Sequence, residues 1–521
     1  MRLKNSSAYL YPMLLRKRNA CLLPCFLLVL LFGSSCGINR HHFDGNQKYP
    51  VEKLQRDYKL FRNILEESHP SVHWFSPVDS MNHYFDWGYR QLTDSMTEPQ
   101  FRSVLSYVIA KIKCGHTSTR YSRRFLRWLD TASLPLFPIS VKLLDNDTVI
   151  LNNTLKRSNV VLPQGTILTH LDGRPINAVV NKLKEYIPAD GHNENYLRQT
   201  ISNRGAFGGW LRLVEGLHPQ YSLGYLDGSG NPQLLNFKLV EPPPKDSTRK
   251  QVLPLIRERI RRREQRDEKL FYARSIQIDT GLSTAYMTVN TFNNTNQLRP
   301  FFRNSFRELR RNRIQHLVVD IRSNGGGNVT HSNFLTRLLI NRPFKLADSL
   351  YAVSRKSRFG AQVQYNSITG LFMPFITRRR ADGKYHFGFF ERHYFKPKKR
   401  NHYNGNVYVL IGPNSFSASA IFAQVLKGQK NITLIGEETG GGAYGNTAWF
   451  IPEASLPETG IRFRLPKFRL VMNKNTIVDG RGVLPDIEVK PTRSSVIQNR
   501  DLKVETVREL IISGKAIRPE Q

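Results

Sequence analysis

From about residue 271 the chain alternates short, almost wholly apolar runs with segments whose apolar residues recur at helical spacing. "TAYMTVNTF" (284–292) precedes "QLRPFFRNSFRELRRNR" (297–313), and "HLVVDIR" (316–322) precedes "THSNFLTRLLI" (330–340). "NVYVLI" (406–411) then leads through a serine-rich turn into "SAIFAQVLKG" (419–428) and "NITLIGEE" (431–438). Strands that lose their polar alternation are buried on both faces, so the pattern predicts an α/β fold around a mostly parallel, helix-covered sheet. Ligands of such sheets sit beyond the C-terminal ends of the strands.

The unusual residues fall at those ends. Gly325, Gly326 and Gly327 follow one strand, "IGPNSFSAS" the next, and "IGEETGGGAYGN" a third. Neither glycine run has a phosphate-loop spacing. Two readings remain for them: a tight turn that needs positive φ, or backbone N–H groups brought close to a substrate carbonyl. Ser417 stands where a helix begins, near free N–H groups and the positive end of the dipole. There it is either a helix cap or a nucleophile, and a nucleophile also needs a base.

"VVDIRSNGGG", "VYVLIGPNSFSASAIFAQVL", "LIGEETGGG" and "GRGVLPDIEV", in that order between Ser275 and Thr492, resemble the tail-specific or C-terminal processing serine proteases, relatives of the tricorn core. Upstream, "KIKCGHTS" is similar to that family's Asp-Gly-His-Thr element, with Cys114 where the aspartate usually stands. The resemblance implies a ClpP/crotonase-like catalytic core and makes Ser417 the nucleophile, with Ser415 and Ser419 shaping its turn and helix. The family's Ser-Lys branch carries a lysine base at the position of Gly442, and here that lysine is missing. The resemblance therefore points to the tricorn-like branch, with His116 as base and Asp479 as the acidic residue that orients it. Ala418 and Gly326 or Gly327 would supply the oxyanion N–H groups. If the histidine were not the base, Lys427, Lys430 and Lys467 would have to reach the turn from elsewhere.

The rest of the chain divides by composition. Residues 45–125 show helical spacing twice and form a helical region carrying His116; 130–241 contains an Asp172-Gly173 turn and a hairpin around Gly228-Ser229-Gly230. Within it "LPQGTILTHLDGRPI" resembles the PDZ-like insert of the same enzymes. Residues 242–270 open on three prolines and read as a charged connector, 271–495 as the peptidase core, and 496–521 as a C-terminal tail.

The net charge of +36 admits nucleic acid, anionic membrane or acidic partners, so location decides its meaning. A basic cluster at Arg16–Arg18, a 13-residue apolar run from Ala20 to Phe32 and small residues ending at Cys36 have the layout of a secretory signal, residues 1–36. The ending "FGSSC" resembles a lipoprotein signal, which implies lipidation of Cys36 and a cell-envelope location, periplasm or outer membrane. The mature chain would keep only Cys36 and Cys114, too few for a disulfide framework. An exported protein whose basic runs lack interleaved aromatics is not expected to bind nucleic acid. Its partners are then a peptide or protein substrate and, through anchor and charge, an anionic membrane surface. The chemistry needs no cofactor and no metal. The alternative is a catalytically silent relative that binds peptide or a hydrophobic ligand in the same cleft.

Overall fold

The computed structural model describes residues 43–151, 162–242, 255–364 and 373–514, with side chains from residue 263 onward in the third segment. The signal segment with Cys36, much of the connector and the end of the tail lie outside the described residues. No helix of the described residues is long and apolar enough to cross a membrane.

Six strands form the central sheet, in the order β1 (Arg274–Asp279), β2 (Thr284–Val289), β3 (His316–Asp320), β4 (Asn406–Ile411), β5 (Ile432–Gly436) and β6 (Ile487–Glu488). β1 and β2 are an antiparallel pair, and every later neighbour is parallel. The continuous apolar runs have their physical cause in two covered faces. Leu317, Val319, Val407, Val409 and Leu434 meet helices Leu298–Arg311, Val329–Leu339 and Ala418–Leu426 through Phe306, Leu335 and Phe422. Val318, Tyr408, Leu410 and Ile435 meet the opposite layer, where helix Leu502–Ser513 contributes Val504, Val507 and Leu510. Burying each large side chain contributes about 1.5–3 kcal/mol.

The N-terminal helices are α1 (Val51–Ser68), α2 (Val78–Arg90) and α3 (Glu98–Lys111), the last opened by a Thr97/Gln100 capping box. They do not form a core alone. Phe61, Phe85 and Phe101 pack with Ala454, Leu456, Ile461 and Phe463 from the far end of the chain. A four-stranded sheet makes the same link, pairing Thr119–Arg120 with Arg462–Arg464 and that strand with Glu453–Ser455. Asp57, buried in α1, accepts hydrogen bonds from the backbone of Glu458 and Thr459 and from Thr459 Oγ1. These contacts hold the segment after α3, which contains His116, against the C-terminal part of the chain.

Between them, strands from Val141 to Lys238 build an antiparallel sheet with helices Ile176–Lys184, Glu194–Ser202 and Ala206–Val214 packed beside it. Its tight turn is at Asp172-Gly173, and its hairpin joins Gln220–Leu226 to Pro232–Lys238. The loop before helix Glu194–Ser202 carries Asp190.

Candidate active site

The serine turn joins the ends of two parallel strands. Ser415 Oγ donates to Ile321 O at 2.8 Å, beyond β3, and accepts from Gly412 N at 3.2 Å, beyond β4. Ser415 is therefore the structural serine of the turn. Ser417 behaves differently: it has φ 57° and ψ −122°, and although the helix starts at Ala418 its side chain makes no capping hydrogen bond. A non-glycine residue in that conformation costs about 1–3 kcal/mol and persists where surrounding structure imposes it. Its hydroxyl is left free at the helix N-terminus. Ser419 Oγ is buried without a partner.

The first glycine run comes directly against this turn. A Cβ on Gly326 would lie 2.7 Å from Ser417 Cβ and 2.8 Å from Phe416 O. Gly326 N–H, however, donates to Asn324 Oδ1 at 2.9 Å, an engagement within the loop that removes it as an oxyanion donor in this conformation. Asn324 is itself fixed by Val289 O at 2.8 Å and by Phe416 N–H at 3.1 Å. The N–H groups of Gly327 and Ala418 donate to no acceptor among the described residues.

His116 lies in the turn after α3, 4% exposed, its ring 4.7 Å from that of Phe416, the residue before Ser417. Neither ring nitrogen has a hydrogen-bond partner, so no bond to Ser417 exists in this conformation. Burial pushes the imidazole down to about 3, and the Arg464 guanidinium and His69 act in the same direction. It is thus a neutral base. At the position of the missing lysine, a Cβ on Gly442 would lie 2.6 Å from the ring of buried Tyr444, so a longer side chain there is blocked.

Asp479 is exposed and accepts from Arg481 N at 2.9 Å; the structure does not bring it to His116. The carboxylate beside the histidine is Asp190. One of its oxygens and one donor atom each of His116 and Cys114 lie within 4.8 Å of one another, all three residues buried. Asp190 Oδ1 accepts from Gly115 N at 2.8 Å and Oδ2 makes no hydrogen bond of normal geometry; burial pushes the carboxyl up to about 7, opposed by the nearby Gly115 and Gly442 N–H groups. Sequence reasoning missed Asp190, which carries no local signal beyond an Asp-Gly turn. Cys114 Sγ faces Thr447 O at 3.7 Å, and burial raises its thiol to about 12. The lysines named as fallback bases separate clearly: Lys427 and Lys430 are exposed, whereas Lys467 is fully buried and donates to Ser354 Oγ at 2.8 Å.

Residues 283–489 match the family model described as peptidase family S41. Among solved structures, the chain is similar to a serine-to-alanine mutant of CPAF, with 15% identity and a TM-score of 0.64 over 90% of this chain and 99% of that one. Mature CPAF complexed with lactacystin gives 15% identity and a TM-score of 0.60 over 89% and 99%. At these identities the likeness is one of fold. No curated protein matches the sequence.

Proposed function

We propose that the chain, whose residues 283–489 match the model of peptidase family S41, is a serine-type peptidase that cleaves peptide bonds through Ser417, with His116 as general base. Ser417 Oγ attacks the scissile carbonyl and His116 takes its proton. The N–H groups of Ala418 and Gly327, together with the positive end of helix Ala418–Leu426, hold the oxyanion. His116 then returns the proton to the leaving amine, and water hydrolyses the acyl-enzyme.

Asp190, rather than Asp479, is the carboxylate suited to orient His116, because its oxygen stands within 4.8 Å of the imidazole donor atom. The Ser417–His116 hydrogen bond forms on substrate binding, as catalytic bonds often tighten only in the substrate complex. One observation carries the reading: a serine in strained backbone at a helix start, whose hydroxyl caps nothing. Export, lipidation of Cys36 and residence at an anionic membrane surface of the cell envelope belong to the same proposal. They are supported by the signal layout and the charge of +36.

A serine-reactive fluorophosphonate probe tests the chemistry. Labelling of wild type that disappears in Ser417→Ala is expected; a folded wild type that is never labelled would favour the silent peptide binder. Digestion of a diverse peptide library by both proteins, with products read by mass spectrometry, would then define the substrate.

A further inference from the structure

We propose that Cys114, His116 and Asp190 form an inhibitory zinc site that removes the peptidase's base from use. Three observations converge on it. The residues are 2%, 4% and 4% exposed, and their donor atoms lie within 4.8 Å of one another. His116 Nδ1, His116 Nε2 and Asp190 Oδ2 are all buried without a hydrogen-bond partner, although the histidine and the aspartate are neighbours. Finally, the Asp-Gly-His-Thr element that this segment resembles is here Cys114-Gly115-His116-Thr117, which replaces a hard oxygen donor by sulfur.

A set of one thiolate, one imidazole and one carboxylate suits Zn²⁺ among the common divalent ions, and leaves a fourth position for water. Zinc bonds of about 2.0–2.3 Å set tetrahedral donors about 3.3–3.7 Å apart, so closing the site takes roughly 1 Å of side-chain movement. Binding expels the Cys114 proton to solvent and leaves a thiolate on the metal. A cation there satisfies polar atoms that otherwise remain unpaired in the interior. It also takes one His116 nitrogen as ligand and leaves the ring's proton on the other, so that Ser417 has no acceptor for its proton.

The inhibitory consequence rests on His116 as base; metal binding itself does not. Full-chain wild type is titrated with Co²⁺ as a spectroscopic stand-in, then with Zn²⁺. One equivalent giving a thiolate-to-cobalt charge-transfer band, displaced by Zn²⁺, is expected. Ser417→Ala should keep that band, and Cys114→Ala and the near-isosteric Cys114→Ser should lose it. Peptide hydrolysis by wild type should fall with added Zn²⁺ and return with a chelator. Half-inhibition in the Cys114 variants, each referred to its own zinc-free rate, should need at least about 100-fold more metal. A wild type that gives no band, or a band or zinc sensitivity unchanged in a folded Cys114 variant, overturns the site. A protein that shows the Cys114-dependent band but never hydrolyses peptide or reacts at Ser417 leaves the metal site standing and removes the proposed function. Active protein without the band does the reverse.

Discussion

Two buried histidines, His69 hydrogen-bonded to Thr117 and His116 next to it in sequence, differ in one respect. His69 and His116 are 3% and 4% exposed, and burial pushes both imidazoles down to about 3. Around His69 the polar groups are bonded. Its Nε2 meets Thr117 Oγ1 at 2.8 Å, its Nδ1 accepts from Ser71 N–H at 3.2 Å, and nearby Lys467 donates to Ser354 Oγ at 2.8 Å. Around His116 they are not, for both its nitrogens, Asp190 Oδ2, Tyr444 Oη and Ser419 Oγ lack partners. An unsatisfied buried polar group costs about 1–3 kcal/mol, so such a cluster calls for a physical explanation, and a role in binding or catalysis is one. Equal burial and equal pKa displacement do not distinguish the two histidines; hydrogen-bond satisfaction does.

The largest effects should come from the unsatisfied side. Ser417→Ala and His116→Ala are each expected to lower kcat by about 10³-fold or more, and the double variant should be no worse than the weaker single one, because members of such a unit do not act additively. His69→Gln should instead lower the midpoint of denaturant unfolding more than it lowers kcat/KM. Reversal of that order between the two histidines would break the comparison.

Next come the oxyanion donors. Gly327→Val should cut turnover by roughly 100-fold, the scale of one lost donor. Gly326→Ala should also lose activity, through displacement of Ser417, since its Cβ would stand 2.7 Å from the serine's. Labelling rates with the fluorophosphonate probe distinguish the two. A folded Gly327→Val with wild-type turnover would leave that loop purely structural.

How much of this was legible depended on whether the determinant was local. Buried parallel strands announce themselves as apolar runs, so β2 to β5 and their helices were readable, and so was the Ser417 turn at the end of β4. Residues 496–521, read as a tail, hold helix Leu502–Ser513, whose apolar face has meaning only against Tyr408 and Leu410 of a sheet formed far upstream. The free hydroxyl of Ser417 and the engagement of Gly326 N–H by Asn324 are matters of dihedral angle and hydrogen bonding, not of residue type. Asp190 is the clearest case. Gly115 and Asp190 are 75 residues apart, joined only because the loop before helix Glu194–Ser202 folds against the turn after α3.

The two aspartates offer a finer contrast. Above about pH 7, where its carboxyl is ionised, Asp190→Asn should lower kcat by at least about tenfold, because it removes the negative charge beside the imidazolium formed during attack. Asp479→Asn should stay within a few-fold of wild type, since its exposed carboxylate holds only Arg481 N–H at 2.9 Å. Steady-state kinetics on the pair decides between them, and the opposite ranking would restore Asp479 as the orienting residue.

Lys467 supplies the smallest effect on activity and the sharpest test of the satisfied side. Desolvation lowers its amine from 10.5 to about 8, with the Glu67 carboxylate opposing. Between those values the unfolded chain binds more protons than the folded one, so this group makes stability rise with pH across that window. Below about 8 both states are protonated and the full burial penalty is present; above 10.5 neither is, and it vanishes. The displacement corresponds to at most about 3 kcal/mol. Lys467→Met removes the buried charge and leaves Ser354 Oγ with Ser68 Oγ at 3.3 Å. The variant should therefore gain on wild type in denaturant unfolding at pH 7, lose that advantage by pH 10.5, and keep near-wild-type kcat/KM throughout. A folded Lys467→Met without turnover would instead make Lys467 the base and dissolve the distinction between the two pockets.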